Sequence, residues 1–273
     1  MGEGESVPLI GRGTTAHWNG LARRNGPWVP MWLSARRTVE CRSVWPLNTM
    51  KSFIRNLSAP AEFFLVVFVC FWWGIAGAIA AFVSHWWGVS RPVEFTDSGA
   101  VLLAVLELSG LAVTFWIGRI RGWSFRSFGL EPGWRCTGAG ILLCLAAASA
   151  RYVSAAVANA IFPGAVQLLP VASHVSLPML ILTLAINPAF EEMIETGYFV
   201  RSLERYGMWG AVLASALFRA FLHAHLGVNA IVVVLPIGLI FGFVYWWRRQ
   251  LWPLVVAHLL FDSYALFPRS HAG

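Results

Sequence analysis

The chain has 273 residues, 58% of them hydrophobic and 12% charged, with a mean hydropathy of +0.64; this composition excludes an ordinary soluble domain and reads as a polytopic membrane protein. A formal charge of +7 would suit nucleic acid, but the basic residues gather in the N-terminal arm and between apolar runs, so they read as topology determinants and no nucleic-acid partner is expected. The four cysteines, Cys41, Cys70, Cys136 and Cys144, have no Cys-x-x-Cys spacing, which supports neither a disulfide framework nor a thiolate metal site.

Residues 1–49 are rich in Gly, Arg, Pro and polar residues and hold no apolar run long enough to span a bilayer. A disordered, basic arm is expected there. Met50-Lys51-Ser52-Phe53 would make a natural start, which would leave 1–49 as an over-extended start and 50–273 as the membrane domain. Apolar runs follow at about 61–87, 98–117, 138–162, 175–205, 208–226, 228–247 and 251–267. The expected fold is all-α, a transmembrane helical bundle of about seven spans. Gly74 and Gly77 would let the first run pack closely. The pairs Trp72-Trp73, Trp86-Trp87 and Trp246-Trp247 read as interfacial anchors in contact with membrane lipid. Glu107 in the second run and Arg151 in the third sit at comparable depth and are candidates for an intramembrane ion pair. Arg and Lys crowd the arm, 119–135, 201–205 and 248–249, whereas 88–97, 163–174 and 226–228 carry one basic residue between them. The positive-inside rule then puts the N-terminus in the cytoplasm.

The fourth run ends on Asn187-Pro188-Ala189-Phe190-Glu191-Glu192-Met193-Ile194-Glu195-Thr196-Gly197-Tyr198. Acidic residues at the centre of a spanning helix cost roughly 2.5–3.5 kcal/mol each, so three together call for partners, protons or water. On an α-helix Glu191 and Glu195 share one face, while Glu192 lies about 100° round, over Thr196, so that one carboxylate could face a site and its neighbour a partner helix. Asn187-Pro188 marks a local break. Arg219 and His223 on the fifth run, and His258 and Asp262 on the seventh, are also i,i+4 pairs. A shared polar cavity is the economical reading. Carboxylate and imidazole together suit water activation, with a second imidazole steadying the oxyanion that forms on a carbonyl. A zinc site is the competing reading, disfavoured by the lack of a His-Glu-x-x-His helix.

At these residues the sequence resembles the CPBP family of intramembrane proteases, which includes the CAAX prenyl endopeptidases and Abi-type proteins. The resemblance spans about 128–265: Glu191-Glu192 with Gly197-Tyr198, then Ser215 to His223 with Gly227, then His258-Leu259-Leu260-Phe261-Asp262, with Phe128-Gly129-Leu130-Glu131-Pro132-Gly133-Trp134 similar to the family's loop before the third helix. It implies an endopeptidase acting on a peptide or a lipidated protein. Glu191 and His223 would activate water, His258 and Asp262 would support the oxyanion, and Glu192 would be accessory. Arg219 and Tyr198 would support the site. Were the enzyme metal-dependent, Glu191, His223 and His258 would be the ligands; no metal or other cofactor is favoured. Two positions depart from the pattern: Thr196 stands where the family has Arg, and Arg219 where it usually has Phe. Arg219 is therefore expected to supply, from the next helix, the charge that Thr196 cannot. A non-catalytic partner or immunity-type protein on the same fold is the alternative from another class. A proton-coupled transporter is disfavoured because no inverted repeat is visible.

Overall fold

Ser58 accepts from the Ala61 amide and, with Pro60 in the first turn, starts a 28-residue helix that would be about 42 Å long. In the computed structural model, which describes residues 45–89, 93–166 and 171–266, this helix is α2 (Ala59–Trp86). It follows a short α1 (Trp45–Asn56). Next come α3 (Asp97–Arg121), capped by Thr96 and closed by left-handed Gly122, and α4 (Trp134–Ile161). The fourth span is composite: α5 (Leu177–Glu191), a π-helical stretch over Glu192–Tyr198 and the single turn α6 (Phe199–Ser202). The last three helices are α7 (Gly207–Leu222), α8 (Ala230–Arg248) and α9 (Trp252–Leu266). Among the described residues, six helical segments are long and apolar enough to cross a membrane, and α9 is a shorter apolar helix. The expected all-α bundle of about seven spans is what the chain forms.

Several expectations are corrected. Residues 45–49 belong to helix α1; the rest of the expected arm, 1–44, lies outside the described residues, as does Cys41. The connections before α3 and α5 form two short parallel strands, β1 (Val93–Thr96) and β2 (Val171–His174), with Val93 opposite Val171 and Thr96 opposite His174. Trp72 lies at mid-helix and is half exposed on the apolar outer face with Phe64 and Phe68, whereas Trp86, Trp87 and Trp247 do lie exposed at helix ends. A Cβ on Gly77 would meet open space, whereas one on Gly74 would press on Leu222 at 3.2 Å; tighter approaches are at Gly140, against Pro253 and Val256 of α9, and at Gly238, against the Ala216 backbone of α7. Small residues there bring backbones together where no hydrophobic effect drives helices to associate.

The basic connections converge at one end of the bundle. Arg201 donates to the Ser127 carbonyl, Arg249 pairs with Glu204, and the Leu251 amide donates to the Gly129 carbonyl at 3.0 Å. Arg121 pairs with Glu62 at 2.6 Å and donates to the Leu57 carbonyl at 2.9 Å, fixing α1 and the start of α2 to the same end. β1 and β2 mark the opposite end, where Asp97 accepts from the Ser176 amide at 2.7 Å.

Gly129 adopts φ +72°, and a Cβ there would fall on the Arg249 carbonyl. Gly129→Val should therefore cost about 1–3 kcal/mol, while Gly138→Ala, in α4 with open space around it, should gain about 0.5–1 kcal/mol. Thermal unfolding in detergent reads both, and equal effects at the two positions would contradict this account.

Candidate active site

Pro188 does not break α5. The proline has no N–H for the Leu184 carbonyl, yet the helix runs on to Glu191, and the irregularity comes afterwards as the π-helical stretch, where the Phe199 amide reaches the Ile194 carbonyl five residues back. Such wide turns recur at functional sites. Gly197 permits this one, because a Cβ there would collide with Leu251. Ser215 on α7 donates to the Glu195 carbonyl at 2.5 Å and ties the turn to the neighbouring helix.

The wide turn also overrides the α-helical arithmetic that would split the glutamates between two faces. All three address one guanidinium. Arg219 Nη2 lies 2.7 Å from Glu192 Oε1, Nε lies 3.2 Å from Glu195 Oε2, and Nη1 lies 3.9 Å from Glu191 Oε2. Arg219 Nη2 also donates to Thr196 Oγ1 at 3.2 Å, and that hydroxyl donates to Glu192 Oε2 at 2.8 Å. Arg219 is 3% exposed and lies over the Phe241 ring. The positive charge missing at Thr196 thus arrives from α7, against the Thr196 side chain itself.

His258 on α9 joins the cluster, with Nδ1 2.8 Å from Glu192 Oε1 and Nε2 3.7 Å from Glu191 Oε2. Asp262, one turn further, puts Oδ1 3.5 Å from the same Nε2. His223 caps α7, and its Nδ1 bonds the Arg219 carbonyl at 2.9 Å. A carbonyl can only accept, so Nδ1 carries the proton there and Nε2 of a neutral ring keeps a lone pair. His223 and Glu191 are within electrostatic reach of each other. His225 turns aside to the Leu222 carbonyl, at 2.9 Å.

The expected Glu107–Arg151 pair does not form. Glu107 instead accepts from Asn187 Nδ2 at 2.7 Å, and the same nitrogen donates to Glu191 Oε1 at 3.1 Å. Asn187 is thus a bridge between carboxylates as well as the residue before the proline. Its i−4 spacing from Glu191 was the available signal. Tyr198 is not brought to the cluster: its ring packs against Phe63 and Trp123. Glu195, fully within the cluster, was visible in sequence only as a third acid.

Glu191 now stands out chemically. Oε1 is held by Asn187, while Oε2 has no hydrogen-bond partner among the described residues and lies between Arg219 Nη1 and His258 Nε2. One turn towards the sheet end, a cavity of about 170 Å³ is lined by Leu103, Thr183 and Leu266, among others. These residues are four positions from Glu107, Asn187 and Asp262 respectively, so the cavity stacks over the polar cluster along three helices. It has room for water. The alternative metal set, Glu191, His223 and His258, does not fit a cation. Among the described residues no three His, Cys, Asp or Glu side chains are arranged to hold one, and the Arg219 guanidinium already sets a fixed positive charge beside Glu191.

Removing Arg219 would leave Glu192 and Glu195 buried without their cation. Arg219→Met should cost about 3–5 kcal/mol, and Arg219→Lys, which keeps the charge but not the fork, should fall between it and wild type. Unfolding midpoints of the three proteins measure this; a stable Arg219→Met protein would contradict it.

No curated protein and no solved structure matches the chain. Residues 173–264 match the family described as type II CAAX prenyl endopeptidase Rce1-like. That segment holds Glu191, Glu192, Arg219, His223, His258 and Asp262, whereas Glu107 lies outside it. The match supports a CPBP-family protease as the family of this multi-pass membrane chain, carried by the stretch in which the polar cluster is built.

Proposed function

We propose that this protein is an intramembrane endopeptidase in which Glu191 and His223 activate water. The observation that carries the reading is the free Glu191 Oε2, a carboxylate oxygen without a hydrogen-bond partner among the described residues and flanked by Arg219 and His258. The family match points to the same class of chemistry.

In this mechanism a water beside Glu191 gives one proton to Oε2 as its oxygen bonds to the scissile carbonyl carbon, and the carbonyl π electrons move onto oxygen. His223, with its Nε2 lone pair, orients that water and shuttles the proton. His258, protonated on both ring nitrogens, is held at Nδ1 by Glu192 and donates from Nε2 to the oxyanion, with Asp262 beside that nitrogen orienting the ring. On collapse the C–N bond breaks, the amine leaves with the proton first taken from water, and the carboxyl product's proton passes to solvent. Glu192 holds His258 and Arg219 in place through its Oε1, so its role is positional. Arg219 offsets the carboxylate charge while leaving Glu191 Oε2 free of a hydrogen bond. The substrate is a peptide or lipidated-protein chain entering by the cavity at the sheet end.

Cleavage of a quenched-peptide library by purified protein in lipid tests this. Glu191→Gln and His223→Ala should each lower kcat about 10²–10⁴-fold, and a chelator should leave the wild type unaffected. Loss with chelator and recovery with zinc would overturn the water mechanism in favour of metal ligation. No cleavage by folded wild type would favour a non-catalytic membrane partner.

The basic end of the bundle is further proposed to face the cytoplasm. Impermeant-thiol labelling of a single cysteine placed in the 122–133 connection should occur only after the cytoplasmic face is opened; labelling from outside would reverse the orientation.

A further inference from the structure

We infer that Glu107 is a positioning residue for Glu191, acting through the Asn187 amide. This rests on the proposed water activation and adds to it a residue from α3, outside the segment that matches the family.

The Asn187 side-chain nitrogen has two hydrogens, and each has a carboxylate oxygen to meet: Glu107 Oε1 at 2.7 Å and Glu191 Oε1 at 3.1 Å. An amide beside one carboxylate can be held by other neighbours in either flip. With an accepting oxygen on either side, Glu107 Oε1 and Glu191 Oε1, its NH₂ points at both. Glu107 makes the shorter bond and is 1% exposed, so it fixes the amide from α3. Asn187 then holds Glu191 Oε1, which turns Oε2 towards His258 and leaves it without a hydrogen bond. Without Glu107 the amide can rotate and set its own carbonyl oxygen against Glu191, swinging the carboxylate out of line.

An acid in the middle of a spanning helix is costly, and a leucine would pack the same site without that cost. No cation is the hydrogen-bonded or ion-paired partner of Glu107 among the described residues; its partner is Asn187. A neutral amide bridging two acids does little for charge balance. It does set geometry, and misplacement by about 1 Å can cost on the order of 10²-fold in rate.

The test compares kcat, KM and melting temperature for wild type, Glu107→Gln, Glu107→Leu, Asn187→Leu and the Glu107→Leu/Asn187→Leu double variant. Glu107→Gln keeps an acceptor oxygen and should stay within about threefold of wild-type kcat. Glu107→Leu and Asn187→Leu should each lose about 10- to 100-fold in kcat with KM little changed. The double variant should be no worse than Asn187→Leu, because both changes break one chain of bonds. Multiplicative losses, or Glu107→Gln as impaired as Glu107→Leu, would overturn the inference. If Glu107→Leu does not fold, Asn187→Leu and Glu107→Gln carry the same comparison.

Should folded wild type cleave nothing, the hydrolase reading fails, and melting temperatures then read the bridge alone. A thermal coupling between Glu107→Leu and Glu191→Leu that vanishes in the Asn187→Leu background supports it. Additive effects in both backgrounds overturn it.

Discussion

One guanidinium shared by three carboxylates inside a lipid-embedded bundle is the constraint to which the other polar contacts answer. Arg219 meets Glu192, Glu195 and Glu191 within 3.9 Å, in surroundings where an unpaired charge would be intolerable. One guanidinium cannot satisfy three carboxyl groups by itself. His258, the Thr196 hydroxyl and the Asn187 amide each meet a glutamate oxygen as well. Arg, with its planar array of five donors, can serve several acceptors at once where a lysine ammonium would serve fewer.

Packing serves that arrangement. Gly238 lets α8 come against the Ala216 backbone one turn before Arg219, and Phe241 covers the guanidinium face. Gly140 draws α4 onto α9 at Pro253 and Val256, close to His258. The tie between Ser215 and the Glu195 carbonyl fixes α7 against the π-helical stretch, so Arg219 and the glutamates share a frame. A site built on rigid helices in this way is positioned more precisely than one borne on loops.

Much of this was legible in sequence. The apolar runs, the crowding of Arg at one set of connections and the i,i+4 pairing of His258 with Asp262 all follow from periodicity and composition, and the bundle keeps them. The replacement of a cation at Thr196 by Arg219 was readable because two departures from one pattern compensate each other. What was not legible depends on contacts between distant segments. Glu107 and Arg151 have matching depth, but depth fixes only one coordinate of a helix position; azimuth turns Glu107 to α5 and Asn187. Strands β1 and β2 have no signature in the sequence, because four-residue segments in connections carry no period. Tyr198 has site residues as its neighbours in sequence, while its ring faces Phe63 and Trp123.

The wide turn over Glu192–Tyr198 acts on the chain after it as a one-residue insertion does. An α-helix advances about 100° per residue, so one extra residue in a turn rotates all that follows by about that angle relative to an uninterrupted helix. Tyr198, Phe199 and Val200, all buried, take their facing from this rotation. Two chains with identical letters at identical spacing would present different faces to their neighbours if only one contained the turn. Motif spacing counted in residues is therefore a statement about order along the helix and not about direction, and an alignment that is correct at every position can still be silent on which side chains meet.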